Sequence, residues 1–241
     1  MNLPQGGQPP FCETPHWDEI LGVIELSMTL QVMGAVIGAP GVGKTMAFKH
    51  YLTRNKRARY VSASPANAHP REALAMVAEA FGHNIHDTRG ISRRYQIVRR
   101  MMLSGDVDVI LIDEAQHLTD RSLDLIRTIW DTTGVPIVFA GNHSLRERVD
   151  VYGEGAFVQF ASRIGPKSTI EAVDPRAVET VARQRGVTDK AAIKWLQSAC
   201  PMKGGLRLLD RLISTARLRD QERALGVDEL AQSALVLGEG A

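Results

Sequence analysis

The stretch GAPGVGKT, residues 38–45, constrains the fold of this chain more than any other. It fits the pattern G-x-x-x-x-G-K-[ST], and it stands between an apolar run, VMGAVI, and a segment of helical character, TMAFKHYL. Glycines let backbone N–H groups curl around a phosphate, and the start of a helix adds partial positive charge. The stretch therefore predicts a phosphate-binding loop between a buried strand and a helix, although an ordinary glycine-rich turn would share its composition.

In such a loop the lysine reaches the terminal phosphates of a nucleotide, and the hydroxyl that follows it can hold Mg²⁺. Lys44 is thus a candidate catalytic group as well as a nucleotide contact, and Thr45 is a candidate metal ligand. The expected nucleotide contacts of the loop are Gly38, Pro40, Gly41, Val42, Gly43, Lys44, Thr45 and Met46.

A second motif, VILIDEAQHL at residues 109–118, is a strand that is apolar on both faces and ends in two carboxylates. Burial of carboxylates is costly unless a cation or a water uses them. We therefore expect Asp113 to contact the nucleotide and to hold its Mg²⁺ through the water shell. Glu114 is expected to polarise an attacking water. Gln116 and His117 are interpreted as local polar contacts.

The next strand, in PIVFAGNHSL, ends at Asn142. Ligands of open α/β sheets bind at the carboxyl ends of the strands, so Asn142 is a candidate for orienting a water beside the terminal phosphate. The alternative is that Asn142 caps the helix that begins near Ser144.

Short apolar runs alternate with helical stretches up to Val173, which is typical of a parallel sheet covered on both faces. Beyond it the pattern is helical only, with helix starts expected at Asp174, Thr188, Gly205 and Asp228. We expect a flexible segment at residues 1–10, an α/β core at 11–173 and a small all-α lid domain at 174–241. The expected strands are residues 31–37, 59–63, 108–112, 136–140 and 168–172. The expected helices of the core are residues 44–52, 70–81, 92–103, 120–131 and 144–150.

Composition narrows the class of protein. The 241 residues are 44% hydrophobic and 23% charged, as in ordinary globular domains. No run of 18 apolar residues and no signal-peptide pattern occur, so we expect a cytoplasmic protein without a membrane partner. Two distant cysteines predict neither a disulfide framework nor a zinc site. Residues 43–100 hold twelve lysines and arginines against three acidic residues. This basic lobe favours a polyanionic partner, although a solvated helix face would have the same composition.

Taken together and in order, GAPGVGKT, LIDEAQHL, AGNHSL, FASRIG and GGLRLLDRLI resemble an AAA+ ATPase. More narrowly, the chain resembles the transposition target selectors typified by the B protein of phage Mu, with TnsC and IstB as more distant relatives. The resemblance implies an AAA+ P-loop NTPase core with a five-stranded parallel sheet. It also implies Mg²⁺-dependent ATP hydrolysis, a homo-oligomeric filament or ring on double-stranded DNA, and a transposase partner. Mu B carries an N-terminal helix-turn-helix that this sequence lacks, so DNA binding is expected from the core.

The resemblance also assigns two arginines. Arg207 matches a lid position that contacts the nucleotide, and the alternative is a pair with Asp210 one turn on. Arg163 matches the arginine finger, a catalytic group delivered to the ATP of the next subunit. The alternative for Arg163 is a surface ion pair, with Lys167 as the other candidate cation on that strand.

The basic helix ISRRYQIVRR, which follows Arg89, is the first candidate for DNA contacts. The spacing of its residues predicts that part of it packs while arginines project outward. A second candidate is the expected loop DTTG at residues 131–134, whose hydroxyls can donate to phosphates. Such contacts read the DNA backbone and not the bases, and a merely solvated helix remains the alternative. The expected DNA contacts are Arg89, Ser92, Arg93, Arg94, Thr132 and Thr133.

Two other functions would share the ATP motifs. One is a helicase or replication loader, which differs in its partner. The other is a signalling or secretion-associated ATPase that does not bind DNA. The basic lobe disfavours the second alternative, and only the GNH and FASRIG resemblance disfavours the first.

Overall fold

The computed structural model of the chain describes residues 10–150, 158–219 and 224–239. Five parallel strands form one sheet in the order β2-β3-β4-β1-β5. The predicted α/β fold with a five-stranded parallel sheet and a helical C-terminal region is confirmed. The strands are β1 Met33–Gly38, β2 Ala58–Ser62, β3 Val109–Asp113, β4 Ile137–Gly141 and β5 Ile164–Ile170.

Helices cover both faces of the sheet and make up the C-terminal region. Those associated with the sheet are α1 Pro15–Leu30, α2 Lys44–Arg54, α3 Pro70–Glu79, α4 Ile91–Met102, α5 Asp120–Thr133, α6 His143–Val149 and α7 Val158–Ala161. Those that follow the sheet are α8 Pro175–Gln184, α9 Lys190–Lys203, α10 Gly205–Arg219 and α11 Val227–Val236.

Two apolar cores lie against the two faces of the sheet. The central strands β1, β3 and β4 are buried at every residue, as expected for strands covered on both sides. Val36 belongs to the core that also contains Phe48 of α2 and Leu209 of α10, whereas its neighbour Ile37 belongs to the core that contains Leu74 of α3. The alternation follows from the two-residue period of a strand. The C-terminal helices therefore share an apolar core with one face of the sheet.

Helix α1 has no counterpart among the predicted elements. It begins after Thr14 with a proline in its first turn, and it buries Trp17, Ile20 and Ile24 at helical spacing. The same pattern in the sequence could have predicted it. The helix packs on β1 and β5, so it backs the strand that leads into the phosphate-binding loop.

Strand β5 begins at Ile164, four residues before the predicted start. It is an edge strand that buries only Ile164 and Ile170, and it contains Pro166. Proline cannot donate to a sheet ladder and is tolerated at such an edge. Because the first half of this strand contains few apolar residues, the apolar pattern of the sequence did not predict it.

The predicted N-terminal cap is correct for α8 and wrong for α9. The side chain of Asp174 accepts from the backbone of Arg176 and caps α8, as predicted. Asp189, and not the predicted Thr188, caps α9 by accepting from two backbone N–H groups of the first turn. A carboxylate one residue nearer the helix reaches those donors. Within the described ranges no helix is both long and apolar enough to cross a membrane.

Candidate functional site

The predicted phosphate-binding loop joins β1 to α2 at the carboxyl edge of the sheet. Gly41 and Gly43 have φ values of +85° and +104°, which side-chain-bearing residues rarely adopt. A Cβ on Gly41 would lie 2.0 Å from the carbonyl oxygen of Gly204, and the Gly41 carbonyl accepts from Leu206 N at 2.9 Å. The loop thus needs glycine both for its conformation and for its close contact with the start of α10.

Lys44 opens α2 and folds back over the loop. Its Nζ donates to the carbonyls of Gly38 (2.6 Å) and Ala39 (3.0 Å), and the residue is 9% exposed. Burial lowers the pKa of Lys44 from its usual value, while the carboxylates of Asp113 and Glu114 oppose the lowering. The ammonium is therefore held where the loop curls, with two acidic groups close by.

Asp113 connects the loop to the end of β3. Its Oδ2 accepts from Thr45 Oγ1 at 2.6 Å and from Tyr60 OH at 3.2 Å, and the residue is almost fully buried. Burial, together with the charge of Asp113, raises the pKa of Tyr60 to about 12. A hydroxyl and a carboxylate in contact beside a phosphate-binding loop form the oxygen donor set that Mg²⁺ takes. Thr45 and Asp113 thus fit the predicted metal site, and Tyr60 is a member of the site that sequence analysis did not find.

Glu114 follows Asp113 in an uncommon backbone conformation. Its φ of +53° lies in the left-handed region, where few residues other than glycine occur. Its backbone N–H donates to Asp113 Oδ1 at 2.9 Å, and its Oε2 accepts from the side-chain amide of Gln116. The carboxylate is only partly buried and lines a cavity with the loop. It is positioned to contact a ligand of that cavity.

Gln116 links the ends of β3 and β4, although sequence analysis treated it as a local contact. Its amide N–H₂ donates to Glu114, and its Oε1 lies 3.4 Å from the backbone N of Asn142. A Cβ on Gly141 would lie 2.8 Å from that oxygen, so the absence of a side chain there makes room for Gln116. No local signal would have separated Gln116 from an ordinary surface glutamine, because its partner on β4 is 26 residues away.

Asn142 lines the same cavity and also caps α6. Its Oδ1 accepts from Ser144 N at 2.9 Å. The capping alternative is therefore correct for its Oδ1, and its position at the cavity agrees with its expected place at the carboxyl end of the strand.

The cavity has a volume of about 860 Å³. Its walls are the loop, the segment that leads into α1, the ends of β3 and β4, and the inner face of α10. Arg207 reaches it from the first turn of α10. Asp210, the alternative partner of Arg207, instead accepts from Arg185 at 3.0 Å. The arginine predicted to contact the nucleotide thus lines the cavity one residue after Leu206, whose backbone N–H donates to Gly41 of the loop.

Arg163 lies far from this cavity. It immediately precedes β5, whose first residue pairs with Met33 and whose last residue pairs with Gly38. Five residue steps along β1 separate those two levels, a distance of about 17 Å. In the single chain Arg163 Nε is 3.2 Å from Asp131, and Lys167 pairs with Asp150 at 2.9 Å. Arg163 is therefore at the edge of the sheet opposite its own loop.

The predicted DNA-contacting arginines have opposite environments. Arg89 and Arg93 are exposed, as is Ser92. Arg94 is only 1% exposed, and its guanidinium donates to the carbonyls of Thr88 (2.8 Å), of Arg71 (3.0 Å) and of His86. The prediction that Arg94 projects outward is wrong, because Arg94 lies on the buried face of α4.

The predicted loop DTTG is also wrong, since Thr132 and Thr133 form the last turn of α5 and Gly134 ends the helix. Both hydroxyls donate to the carbonyl of Ile129 at 2.9 Å. Hydroxyl groups bonded to the preceding turn are typical of threonine within a helix. Thr132 is exposed and lies 3.3 Å from Tyr95 OH, which brings the end of α5 next to α4.

Comparison with protein families matches two consecutive parts of the chain. The AAA domain family matches residues 28–149, which hold the phosphate-binding loop, β3 and β4. The C-terminal domain of the Mu B transposition protein matches residues 162–230, which hold β5 and most of the C-terminal helices.

Individual proteins give the same result. The chain is 27% identical over 204 residues to the Mu-like prophage FluMu DNA transposition protein B of Haemophilus influenzae, covering 83% of this chain and 70% of that protein. It is 27% identical over 224 residues to the ATP-dependent target DNA activator B of Escherichia phage Mu, covering 92% and 70%. Among solved structures, Cdc6p from Pyrobaculum aerophilum superposes with a TM-score of 0.68 at 12% identity, over 95% of this chain and 69% of that one, and this likeness concerns the fold alone. The chain therefore belongs to the AAA domain family, and it resembles the B transposition protein of phage Mu.

Proposed function

We propose that this chain is a Mg²⁺-dependent ATPase that assembles on duplex DNA, delivers that DNA as a target for transposition and regulates a transposase. The observation that carries the proposal is that Lys44, Thr45 and Glu114 line one cavity, with the buried Asp113 bonded to Thr45 directly behind it. The similarity to an ATP-dependent target DNA activator over 92% of the chain supports the choice of target DNA as the partner.

The roles of the residues follow from their positions. Lys44 and the N–H groups of the loop bind the phosphates, and Thr45 with Asp113 would hold Mg²⁺, which supplies positive charge against the charge that develops on the phosphates. Glu114 accepts a proton from the attacking water, Asn142 contributes to orienting that water, and Arg207 contacts the nucleotide from α10. In this proposal α8 to α11 act as the lid over the nucleotide.

Hydrolysis in this scheme needs a second copy of the chain. Because Arg163 lies about 17 Å from its own loop along the strand direction, it acts on the ATP of the neighbouring subunit. Its pair with Asp131 is a surface ion pair, and such pairs contribute little stability. The contact can therefore be exchanged for a phosphate at modest cost.

Assembly is tested with Arg163→Ala. We expect the ATP turnover of the assembled protein to fall about 10³-fold, with ATP affinity of the single chain unchanged. Lys167→Ala is the matched control on the same strand and should retain turnover. Mixing Arg163→Ala with Lys44→Ala should restore part of the activity. Co-assembly without any restoration would remove Arg163 from the proposed role.

DNA binding is tested by measuring the affinity for a duplex with ATP and Mg²⁺ over a series of salt concentrations. The logarithm of the affinity should fall linearly with the logarithm of the salt concentration, with little dependence on sequence. If ATP is bound and hydrolysed but no duplex is bound at low salt, the proposal fails in favour of an ATPase that switches a protein interface. If single-stranded DNA is bound and duplex DNA is not, the protein does not deliver duplex targets.

A further inference from the structure

His16 is a buried polar residue that connects three parts of the molecule. It lies in the first turn of α1 and is 4% exposed. Its Nδ1 is 3.2 Å from the carbonyl oxygen of Val42 in the phosphate-binding loop. Its Nε2 is 3.0 Å from the backbone N of Asp174, which caps α8. One imidazole therefore bridges α1, the loop and the start of the C-terminal helices.

The two partners determine the protonation of the ring. The backbone N–H of Asp174 can only donate, so Nε2 of His16 accepts and carries no proton. The carbonyl of Val42 can only accept, so Nδ1 carries the proton and donates it. Both bonds require the neutral ring in the Nδ1–H tautomer.

The bond to Val42 also orients the loop. In a trans peptide the carbonyl of one residue and the N–H of the next point in opposite directions. The Val42 carbonyl points to His16, so the Gly43 N–H points away from it. Gly43 is the residue that precedes α2, and as a glycine it has no side chain to cap that helix start. N–H groups at the start of a helix have no partners within the helix and can bind an anion, and the Gly43 N–H is one of them.

The bond to Asp174 ties the same ring to α8. The Asp174 side chain accepts from Arg176 N at 2.6 Å, so the residue whose N–H binds His16 also fixes the first turn of α8. A movement of α8 therefore alters the hydrogen bond at Nε2 of His16. A movement of the loop alters the hydrogen bond at Nδ1.

We propose that His16 is a positioning residue that orients the Val42–Gly43 peptide for phosphate binding and couples it to the start of α8. This role rests on the proposed binding of ATP by the loop. It requires an aromatic ring that donates at one nitrogen and accepts at the other, which among the natural side chains only neutral histidine supplies.

The tautomer is tested on the wild-type protein labelled with ¹⁵N in its histidines. A long-range ¹⁵N–¹H correlation spectrum distinguishes protonated from unprotonated ring nitrogens, and His16→Asn assigns the signals. We expect Nδ1 protonated and Nε2 unprotonated for His16, with a shift of the Nδ1 signal when ATP and Mg²⁺ are added. A ring with Nε2 protonated, or an Nδ1 signal that does not respond to ATP, would overturn the proposal.

The energetic consequence is tested by calorimetric titration of ATP with Mg²⁺ into variants. His16→Phe keeps the ring and loses both hydrogen bonds, and the Kd for ATP should rise about tenfold. His16→Asn keeps a donor at the position of Nδ1, and its Kd should rise less. Ile24→Ala is the matched control, because Ile24 is fully buried on the same helix and its aliphatic side chain cannot hydrogen-bond to either backbone group. It should lower thermal stability without changing the Kd of the folded protein.

The outcomes separate this proposal from the proposed function. If the wild-type protein does not bind ATP, the function fails and the loop has no nucleotide to orient. If the wild type binds ATP and Lys44→Ala does not, while His16→Phe binds as tightly as the wild type, only the role of His16 fails. If His16→Phe does not fold, His16→Asn and the wild-type spectrum still decide.

Discussion

The carboxyl edge of the sheet and the basic helix α4 both contain residues that the sequence predicted to be functional. The two regions differ in the arrangement and burial of those residues. At the carboxyl edge the loop and Glu114 line one cavity, and the buried Asp113 accepts hydrogen bonds from Thr45 and from the Glu114 backbone. On α4 the adjacent residues Arg93 and Arg94 are separated, one exposed and one buried. Residues of a motif that bind one ligand must have fixed positions relative to one another. In a run of like charges, the packing of the helix determines which side chain is buried and which is exposed.

The largest effect is expected at the carboxyl edge. Glu114→Gln removes the group that we propose accepts the proton of the attacking water, so ATP turnover should fall about 10³-fold while ATP binding is retained. Steady-state hydrolysis and calorimetric ATP binding measure the two quantities. If release from DNA follows turnover in the proposed function, residence on duplex DNA should lengthen. Loss of ATP binding would mean that Glu114 holds the fold or the nucleotide and is not the base.

The buried arginine of α4 should affect stability first. Arg94→Met removes the guanidinium that donates to the carbonyls of Thr88, Arg71 and His86, and the loss of several partly buried hydrogen bonds from a charged donor is costly. We expect the free energy of unfolding to fall by about 3 kcal/mol in denaturant titrations. Arg93→Met, the exposed neighbour, is the control and should change it by less than about 0.5 kcal/mol. If the two substitutions lowered the free energy of unfolding equally, the buried Arg94 would contribute no more to stability than the exposed Arg93.

A smaller effect is expected from the glutamine that joins β3 to β4. Gln116→Ala frees the carboxylate of Glu114 and should lower kcat about tenfold with KM nearly unchanged, as expected for one lost hydrogen bond. Gln116→Glu places two carboxylates together and should lower kcat further. The exposed His117→Ala serves as the control. A rise in KM without a fall in kcat would show that Gln116 binds nucleotide and does not position Glu114.

The smallest effect concerns the exposed arginine. If Arg93 contacts a phosphate, Arg93→Met should reduce the slope of log affinity against log salt by about one and weaken all duplex sequences alike. Fluorescence anisotropy over a salt series measures the slope. Arg99→Met, at the opposite end of α4, is the comparison. An unchanged slope in Arg93→Met would move the DNA contact away from the start of this helix.

Much of the fold was predictable because its signals are local. The apolar runs of β1, β3 and β4 reflect burial on both faces, and Asp174 with Pro175 marks the start of α8 within three residues of sequence. Strand β5 was displaced because an edge strand buries few side chains. Helix α1 was not predicted, although its apolar residues recur at helical spacing in the sequence.

By itself, the sequence determined the phosphate-binding loop, the two carboxylates at the end of β3 and the order of the five strands along the chain. Each of these depends on residue types within one turn or strand. Only the tertiary structure decided that Tyr60 joins Asp113, that Gln116 joins Glu114, and that His16 bonds to the loop. It also decided that Arg94 is buried. These contacts are made by hydrogen bonds to partners that lie close in space, and a hydrogen bond depends on distance and angle, which a one-dimensional pattern does not encode.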